Sequence, residues 1–548
     1  MRDSVRRASA LLAIAGLSVF GALQGCGGGG DSGGNTVPVT PDPTPNPAPT
    51  SDFLSVGLSS NDPYPGRFVV VVDPANPAPT RLTQGLSGSE GYNFPAIPSY
   101  LGTFDQAAGT FTVQSASMAY FASGGQVYQV SLRKSDKTEP QRISSLTTAC
   151  AVMSVSPLKY ASPEDAWVEV TDAGLDGSCS QSIDNRTYFV RTGAATTAAP
   201  TTLPGGAKLM APLIDGSSGN VVSFLATDTS TSTPQLQLLG SDLSLKRVLW
   251  SGYSGATAVL GMVPGANNAA YVRIGSSLVR INWTSTTAVI AGSYYTYADS
   301  GLYQTGFNAL SDGSAFYFVD GLTVRRLVPG QPVELLGTLD SAGGTLTGLQ
   351  ALSTDHVLLT QGSRGSSGLT ESLLSLPKSG GSFVTLATSI SAPYPDNRVV
   401  LGTSGDDVVY KDNALRRAHA DGTGKRIITT SVGNIPILVF NKTLRLGNAA
   451  TTDSIVWRAP GTQSGNTASV PLLSYNVASD ATIVLGTFTH TTNANWFLFA
   501  YGDNFTDMPL VLRTTVRDGT LPVIDAPVSE EMFIAQAGKA NSLIKVSE

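Results

Sequence analysis

Residues 315–327 read AFYFVDGLTVRRL: an apolar run, Asp320-Gly321, and a second run of alternating character. Asp-Gly between alternating apolar residues is a strong hairpin signal, because a type I′ turn needs positive φ at both central positions. The pattern recurs along the chain. Residues 118–132 read MAYFASGGQVYQVSL with Gly124-Gly125 at the turn, and residues 269–283 read AAYVRIGSSLVRINW with Gly275-Ser276. Residues 408–422 read VVYKDNALRRAHADG with Asp412-Asn413. A further short strand follows each hairpin: QRISSL, TAVIAGS, VELLGTL and KRIITTS.

The spacing of these hairpins is regular. Ala269 to Ala315 is 46 residues, Ala315 to Val408 is 93, and Met118 to Ala269 is 151. Weaker copies fall near Trp167, Val221, His356, Ile455 and Trp496. Units of about 40–50 residues, each a small antiparallel sheet, are the signature of a β-propeller. One such sheet cannot bury both faces alone, so neighbours cover each other and a closed ring protects the ends. The aromatic and aliphatic residues of each hairpin are therefore expected to pack between blades. The expected fold is all-β: a single large β-propeller of about eight blades, within a range of seven to ten, over residues 53–548. The spacing itself yields nine or ten units, above the usual four to eight. The last hairpin, MFIAQAGKANSLIKV (residues 532–546), is placed to close the ring against RFVVVV (residues 67–72). Tandem β-sandwiches are the alternative architecture.

Two units, LSDGSAFYFVDGLTVRRL and RRAHADGTGKRIITTS, resemble repeats of TolB-type propellers. In that family a DG(S/K) turn precedes the inner hairpin, and an ADG(S/T)G.R turn leads to the outer strand. Asp312-Gly313 and Asp421-Gly422 carry the match. The resemblance implies the propeller fold and no particular ligand. WD dipeptides are absent, and the five tryptophans are unevenly spaced, unlike the docking repeats of quinoprotein propellers.

The chain starts differently. Arg2, Arg6 and Arg7 precede the apolar stretch ALLAIAGLSVFGAL. This is shorter than the roughly 20 residues of a membrane span and has the order of a secretory signal. Leu23, Gly25 and Cys26 resemble the lipobox of bacterial lipoproteins; Gln24 is larger than the usual residue there. The resemblance implies a signal over residues 1–25, cleavage before Cys26, and acylation of Cys26. Gly27 is not the aspartate that retains such proteins at the inner membrane, so the implied destination is the outer membrane, on its periplasmic or external side. Several acyl chains hold a protein at a membrane far better than one. Residues 26–52 then form a tether, Gly/Ser-rich and flexible first, Pro-rich and extended after.

Only 14% of residues are charged, and the net charge is −6. That balance leaves no basic footprint for nucleic acid. With Cys26 acylated, Cys150 and Cys179 remain, and two thiols in an exported protein read as one disulfide. Free thiols or a metal pair are the alternatives. His356, His419 and His490 are far apart in sequence with no paired spacing, so no metal site built on histidine is expected. Beyond the Gly-rich tether there is no G-x-S-x-G elbow, P-loop or dinucleotide fingerprint. TDAGLDGS (residues 171–178) clusters Asp172 and Asp176 but lacks the spacing and terminal Glu of a calcium loop. Glu164 and Asp165 are adjacent, and adjacent strand residues face opposite ways, which makes them a poor acid/base pair.

GSYYTYADSGLYQTGF (residues 292–307) gathers Tyr294, Tyr295, Tyr297, Tyr303 and Phe307 in an expected inter-blade connection. Tyrosine joins an apolar ring to a polar tip and is enriched at interfaces. This stretch is the candidate binding surface; packing over its own blades is the structural alternative. No cofactor is implied. The expected role is a non-enzymatic scaffold or protein-binding module, held at the membrane by its lipid and partnered by an envelope protein. Capture of a glycan or peptide, or an enzyme with residues that converge only in space, are the alternatives. Fold alone does not decide among them.

Overall fold

Val69, Val70, Val71 and Val72 are all buried. Successive strand residues point to opposite faces, so an unbroken apolar run is a strand covered on both sides. In the computed structural model, Val69 and Val71 pack with Ala119, Phe121 and Val130. Val70 and Val72 pack instead with Ile534 and Val546, from the far end of the chain. The same alternation runs through other strands. Leu359 joins the cluster that holds Tyr317 and Val324, while Leu358 joins the one that holds Val408 and Tyr410.

The described residues are the strands between Leu54 and Val546 and many of the turns joining them. Residues 1–53, 87–99, 144–151, 158–166, 174–184, 193–200, 294–308, 391–398, 431–437, 502–508 and 519–528, with several shorter connections, lie outside them. For some strands, those at residues 100–105, 110–114, 257–263, 269–274, 277–282, 288–293, 438–445, 494–501 and 509–518 among them, the backbone alone is described. The signal segment, Cys26, Cys150, Cys179 and the aromatic set Tyr294, Tyr295, Tyr297, Tyr303 and Phe307 lie outside the described residues.

These strands form ten antiparallel sheets in chain order. We number them sheet 1 (55–81), sheet 2 (118–142), sheet 3 (152–191), sheet 4 (208–251), sheet 5 (257–293), sheet 6 (309–338), sheet 7 (346–390), sheet 8 (400–429), sheet 9 (438–491) and sheet 10 (494–545). Apolar clusters join sheet 1 to 2, 2 to 3 and 3 to 4. Others join sheet 6 to 7, 7 to 8, 8 to 9, 9 to 10 and 10 back to 1. Around sheet 5 the first strands Lys208–Ile214, Thr257–Val263 and Ala309–Ser311 lie side by side. A meander of small sheets, each stacked on the next and the last on the first, is a propeller.

Ten sheets among the described residues fall within the expected range of seven to ten. Sheets 1, 2 and 3 have three strands each among the described residues, yet each packs on both neighbours.

Turn geometry follows the glycines. Gly124 and Gly125 both have positive φ, 60° and 72°, between the paired Ser123 and Gln126, as a type I′ turn requires. In residues 315–327 the turn falls one residue later than the Asp-Gly reading predicts. Asp320 pairs with Thr323, so Gly321 and Leu322 are central, and of these Gly321 has the positive φ, 59°. That is the type II′ pattern.

Sheet 9 is the exception to the meander. The hairpin Tyr100–Asp105 and Thr110–Gln114 leaves the chain between sheets 1 and 2 and pairs with Leu438–Arg445. Its register sets Thr112 opposite Thr443 and Phe111 opposite Leu444.

Candidate functional site

A cavity of about 460 Å³ opens where strand ends of sheets 1 and 2 meet. Sheet 1 brings Phe68 at the start of Arg67–Asp73 and Arg81 at the end of Asn76–Arg81, followed by Leu82 and Thr83. Sheet 2 brings Phe121, Ser123 and Tyr128, and Pro140 comes before its last strand. Strand pairing fixes these positions. Phe121 faces Tyr128 across Met118–Ser123 and Gln126–Ser131, and their rings stack 5.7 Å apart at 15°. The Tyr128 hydroxyl donates to Gln126 Oε1 at 3.0 Å. The Arg81 guanidinium lies over the Phe68 ring, 4.4 Å from its centre. Thr83 Oγ1 accepts from the Val69 N–H at 3.0 Å, which leaves its own proton to point elsewhere. The volume falls in the range of small-ligand sites.

A second group of polar residues lines the edge where first-to-second and third-to-fourth strand turns emerge. In sheet 6, Asp312 Oδ1 accepts from the Ser314 N–H and O–H at 3.0 and 2.7 Å, and from the Ala315 N–H at 3.0 Å. Asp421 Oδ1 accepts from the Thr423 N–H and O–H at 2.9 and 2.7 Å. Each is an Asx turn, in which a carboxylate replaces a backbone acceptor. This is the physical content of the D-G-(S/T) resemblance.

Other aspartates on this edge tie sheet to sheet. Asp312 Oδ2 meets Lys378 Nζ of sheet 7 at 2.9 Å and accepts from the Tyr317 hydroxyl at 3.0 Å. Burial alone raises its pKa, but Lys378 and Ser314 hold it well below the usual carboxylate range. Burial and the Asp312 charge push the Tyr317 phenol up. Asp406 of sheet 8 accepts from the Ser353 hydroxyl at 2.7 Å and the Asp355 N–H at 3.0 Å, both of sheet 7, with His356 Nδ1 at 3.5 Å. Asp407 pairs with His419 at 2.8 Å and with Arg417. Arg417 is buried and donates to Tyr475 Oη and the Val477 carbonyl of sheet 9, each at 2.8 Å.

His356 and His419, distant in sequence, thus stand beside neighbouring aspartates of one turn. No described serine, threonine or cysteine is hydrogen-bonded to either ring as a nucleophile. Among the described residues no group of three or more His, Cys, Asp or Glu is arranged to hold a metal ion. The bonds described along this edge tie sheet 6 to 7, 7 to 8 and 8 to 9. No described helix is long and apolar enough to cross a membrane. Neither Phe68 nor Arg81 stands out in the sequence, because a groove between sheets has no local pattern.

No family model matches the chain, and no curated protein matches it. Solved structures resemble it weakly. A eukaryotic initiation factor aligns over 90% of this chain and 96% of its own, at 12% identity and TM-score 0.36. A puromycin-hydrolyzing peptidase of Mycobacterium tuberculosis aligns over 77% of this chain and 62% of its own, at 12% identity and TM-score 0.31. TolB from Acinetobacter baumannii aligns over 73% of this chain and 80% of its own, at 12% identity and TM-score 0.23. Such scores carry neither family nor activity; the fold stands on this chain's own sheet order and packing.

Proposed function

We propose that this protein is a non-enzymatic binding module of the bacterial envelope, held at the outer membrane through acylated Cys26 and engaging an envelope partner through its propeller. The observation that carries the binding role is the cavity between sheets 1 and 2. It combines stacked aromatic rings with a guanidinium and hydroxyl groups. Apolar walls with a few placed polar groups are what ligand sites share. The N-terminal sequence LQGC supports the anchor, and the Gly/Pro tether supports a domain held away from the bilayer.

The test has two parts. The full chain and its Cys26→Ser variant are expressed in a Gram-negative host with labelled palmitate. Label and membrane recovery are expected for the first and lost in the second; equal recovery without label overturns the anchor. A photo-reactive amino acid at Tyr128 is then compared with one at exposed Lys246 on sheet 4. A discrete cross-linked species specific to position 128 is expected, and identical patterns at both positions overturn the groove as the binding seat.

A further inference from the structure

We infer that the chain's own residues 46–53, NPAPTSDF, lie in the groove between sheets 1 and 2 as a strap that an outside partner must displace. This rests on the reading of the groove as the ligand seat. The place where the segment joins the fold points to the groove. Leu54, the next residue, donates its N–H to the Leu132 carbonyl of sheet 2 at 2.6 Å. Its side chain packs in the same apolar cluster as Phe121, and Leu82 and Tyr128 pack against that cluster. Phe121, Leu82 and Tyr128 also line the groove. Leu132 follows the strand Gln126–Ser131, so Tyr128 lies back along that strand by about 13 Å at the usual rise. Residues 46–53 in extended, proline-rich form reach about 25 Å, enough to run from Leu54 into the groove.

The walls suit this sequence. An extended peptide brings one N–H and one carbonyl per ordinary residue. Among the described lining residues no side chain carries a carboxylate or amide oxygen, so ligand N–H groups find few acceptors there. Pro47 and Pro49 have no N–H to leave unpaired. The Thr83 hydroxyl supplies a donor for a ligand carbonyl, because its Oγ1 already accepts from the Val69 N–H. Half-buried Tyr128 is held flat on buried Phe121. Proline-rich segments dock on aromatic-lined grooves in a preformed extended helix that costs little entropy to order. A segment tied to the domain at Leu54 is present at about millimolar effective concentration, which an outside ligand has to overcome.

The test uses the full chain with a photo-reactive phenylalanine at position 128, and at exposed Lys246 as the control. Mass mapping after illumination is expected to find an intramolecular adduct on residues 46–53 from position 128 and none from position 246. Pro47→Gly with Pro49→Gly loosens the extended form and is expected to weaken that adduct, while Pro38→Gly with Pro41→Gly, the same change further from the domain, leaves it intact. Calorimetric titration of N-acetyl-Asn-Pro-Ala-Pro-Thr-Ser-Asp-amide reads the competition. It is expected to bind the Pro47/Pro49 double variant about 10-fold more tightly than the parent chain, whose own segment occupies the groove. Circular dichroism checks that each variant folds. Absence of the adduct on residues 46–53, or equal peptide binding by the two chains, overturns the strap; a specific intermolecular species at position 128 then leaves the groove as the seat of a partner. No specific species of either kind at position 128 overturns both readings.

Discussion

Removing one cation tests whether the charged edge holds neighbouring sheets together. Lys378 follows the third strand of sheet 7 and reaches Asp312 of sheet 6 at 2.9 Å, with the two side chains 12% and 14% exposed. Lys378→Met keeps an apolar stem near the Tyr317 ring, over which the ammonium now sits at 5.3 Å, and deletes the charge. Breaking a buried pair from one side costs about 3–5 kcal/mol. Asp312 retains the donors of Ser314, Ala315 and Tyr317, so the loss belongs at or just below the low end, about 2–3 kcal/mol. Unfolding as one unit at roughly 2.1 cal/mol/K per residue converts this to a fall of about 2–3 °C in Tm at pH 7. The pH dependence has a fixed sign. Asp312 has a depressed folded-state pKa, so its contribution is present above the unfolded value near 3.9 and is lost as pH falls. Lys378→Met flattens that acid limb. The assay is thermal melting at pH 7 and in acid, with Asp312→Asn and the double variant completing a cycle. A coupling under about 0.5 kcal/mol, or an unchanged acid limb, refutes the strut.

Three further outcomes are expected. Gly344→Ala places a Cβ inside contact distance of the Gly362 carbonyl at φ 105°, and so costs more than about 3 kcal/mol. Gly321→Ala, at φ 59° with open space around it, carries backbone strain without the steric clash and so costs less; equal melting of the two variants contradicts this. Burial raises the Glu371 pKa, against a smaller opposing effect of Thr360, and its Oε2 has no hydrogen-bond partner among the described residues. A raised carboxyl favours the folded state in acid and loses that advantage as pH rises, so Glu371→Gln stabilises by about 1 kcal/mol at pH 8 and not at pH 4. Denaturant midpoints at the two pH values check the sign. Thr112→Cys with Thr443→Cys forms a disulfide, since opposed antiparallel residues stand within bridging range. Mass spectrometry of the oxidised protein reads it, and the absence of a cross-link contradicts the register.

The propeller was legible because its signals are local. Val69–Val72 announces a strand buried on both faces, and Gly124-Gly125 announces its turn, within a few residues of sequence. The unit spacing points to nine or ten repeats, and the described strands form ten sheets. Asp312 and Asp421 were legible as turn markers, yet the second role of Asp312 as an inter-sheet acceptor depends on Lys378, 66 residues on. The groove was illegible for the same reason. Phe68 and Tyr128 belong to separate hairpins, and each alone reads as blade packing.

Ring closure gives the cross-ring hairpin its meaning. Sheet 10 meets sheet 1 through side-chain packing of Val70 and Val72 on Ile534 and Val546, and among the described residues no strand pairs across that seam. Packing alone is a weaker clasp than a shared sheet, because it supplies no backbone hydrogen bonds. The hairpin at residues 100–114 supplies them elsewhere. It comes from the first part of the chain and hydrogen-bonds to sheet 9, near the last part. The first strand of sheet 8 lies beside Ala450–Arg458, so Leu438–Arg445 and the hairpin extend sheet 9 past the circle of first strands, toward the interior of the ring. The hairpin leaves the chain after sheet 1 and rejoins it before sheet 2, so its two ends flank the seam that holds the groove.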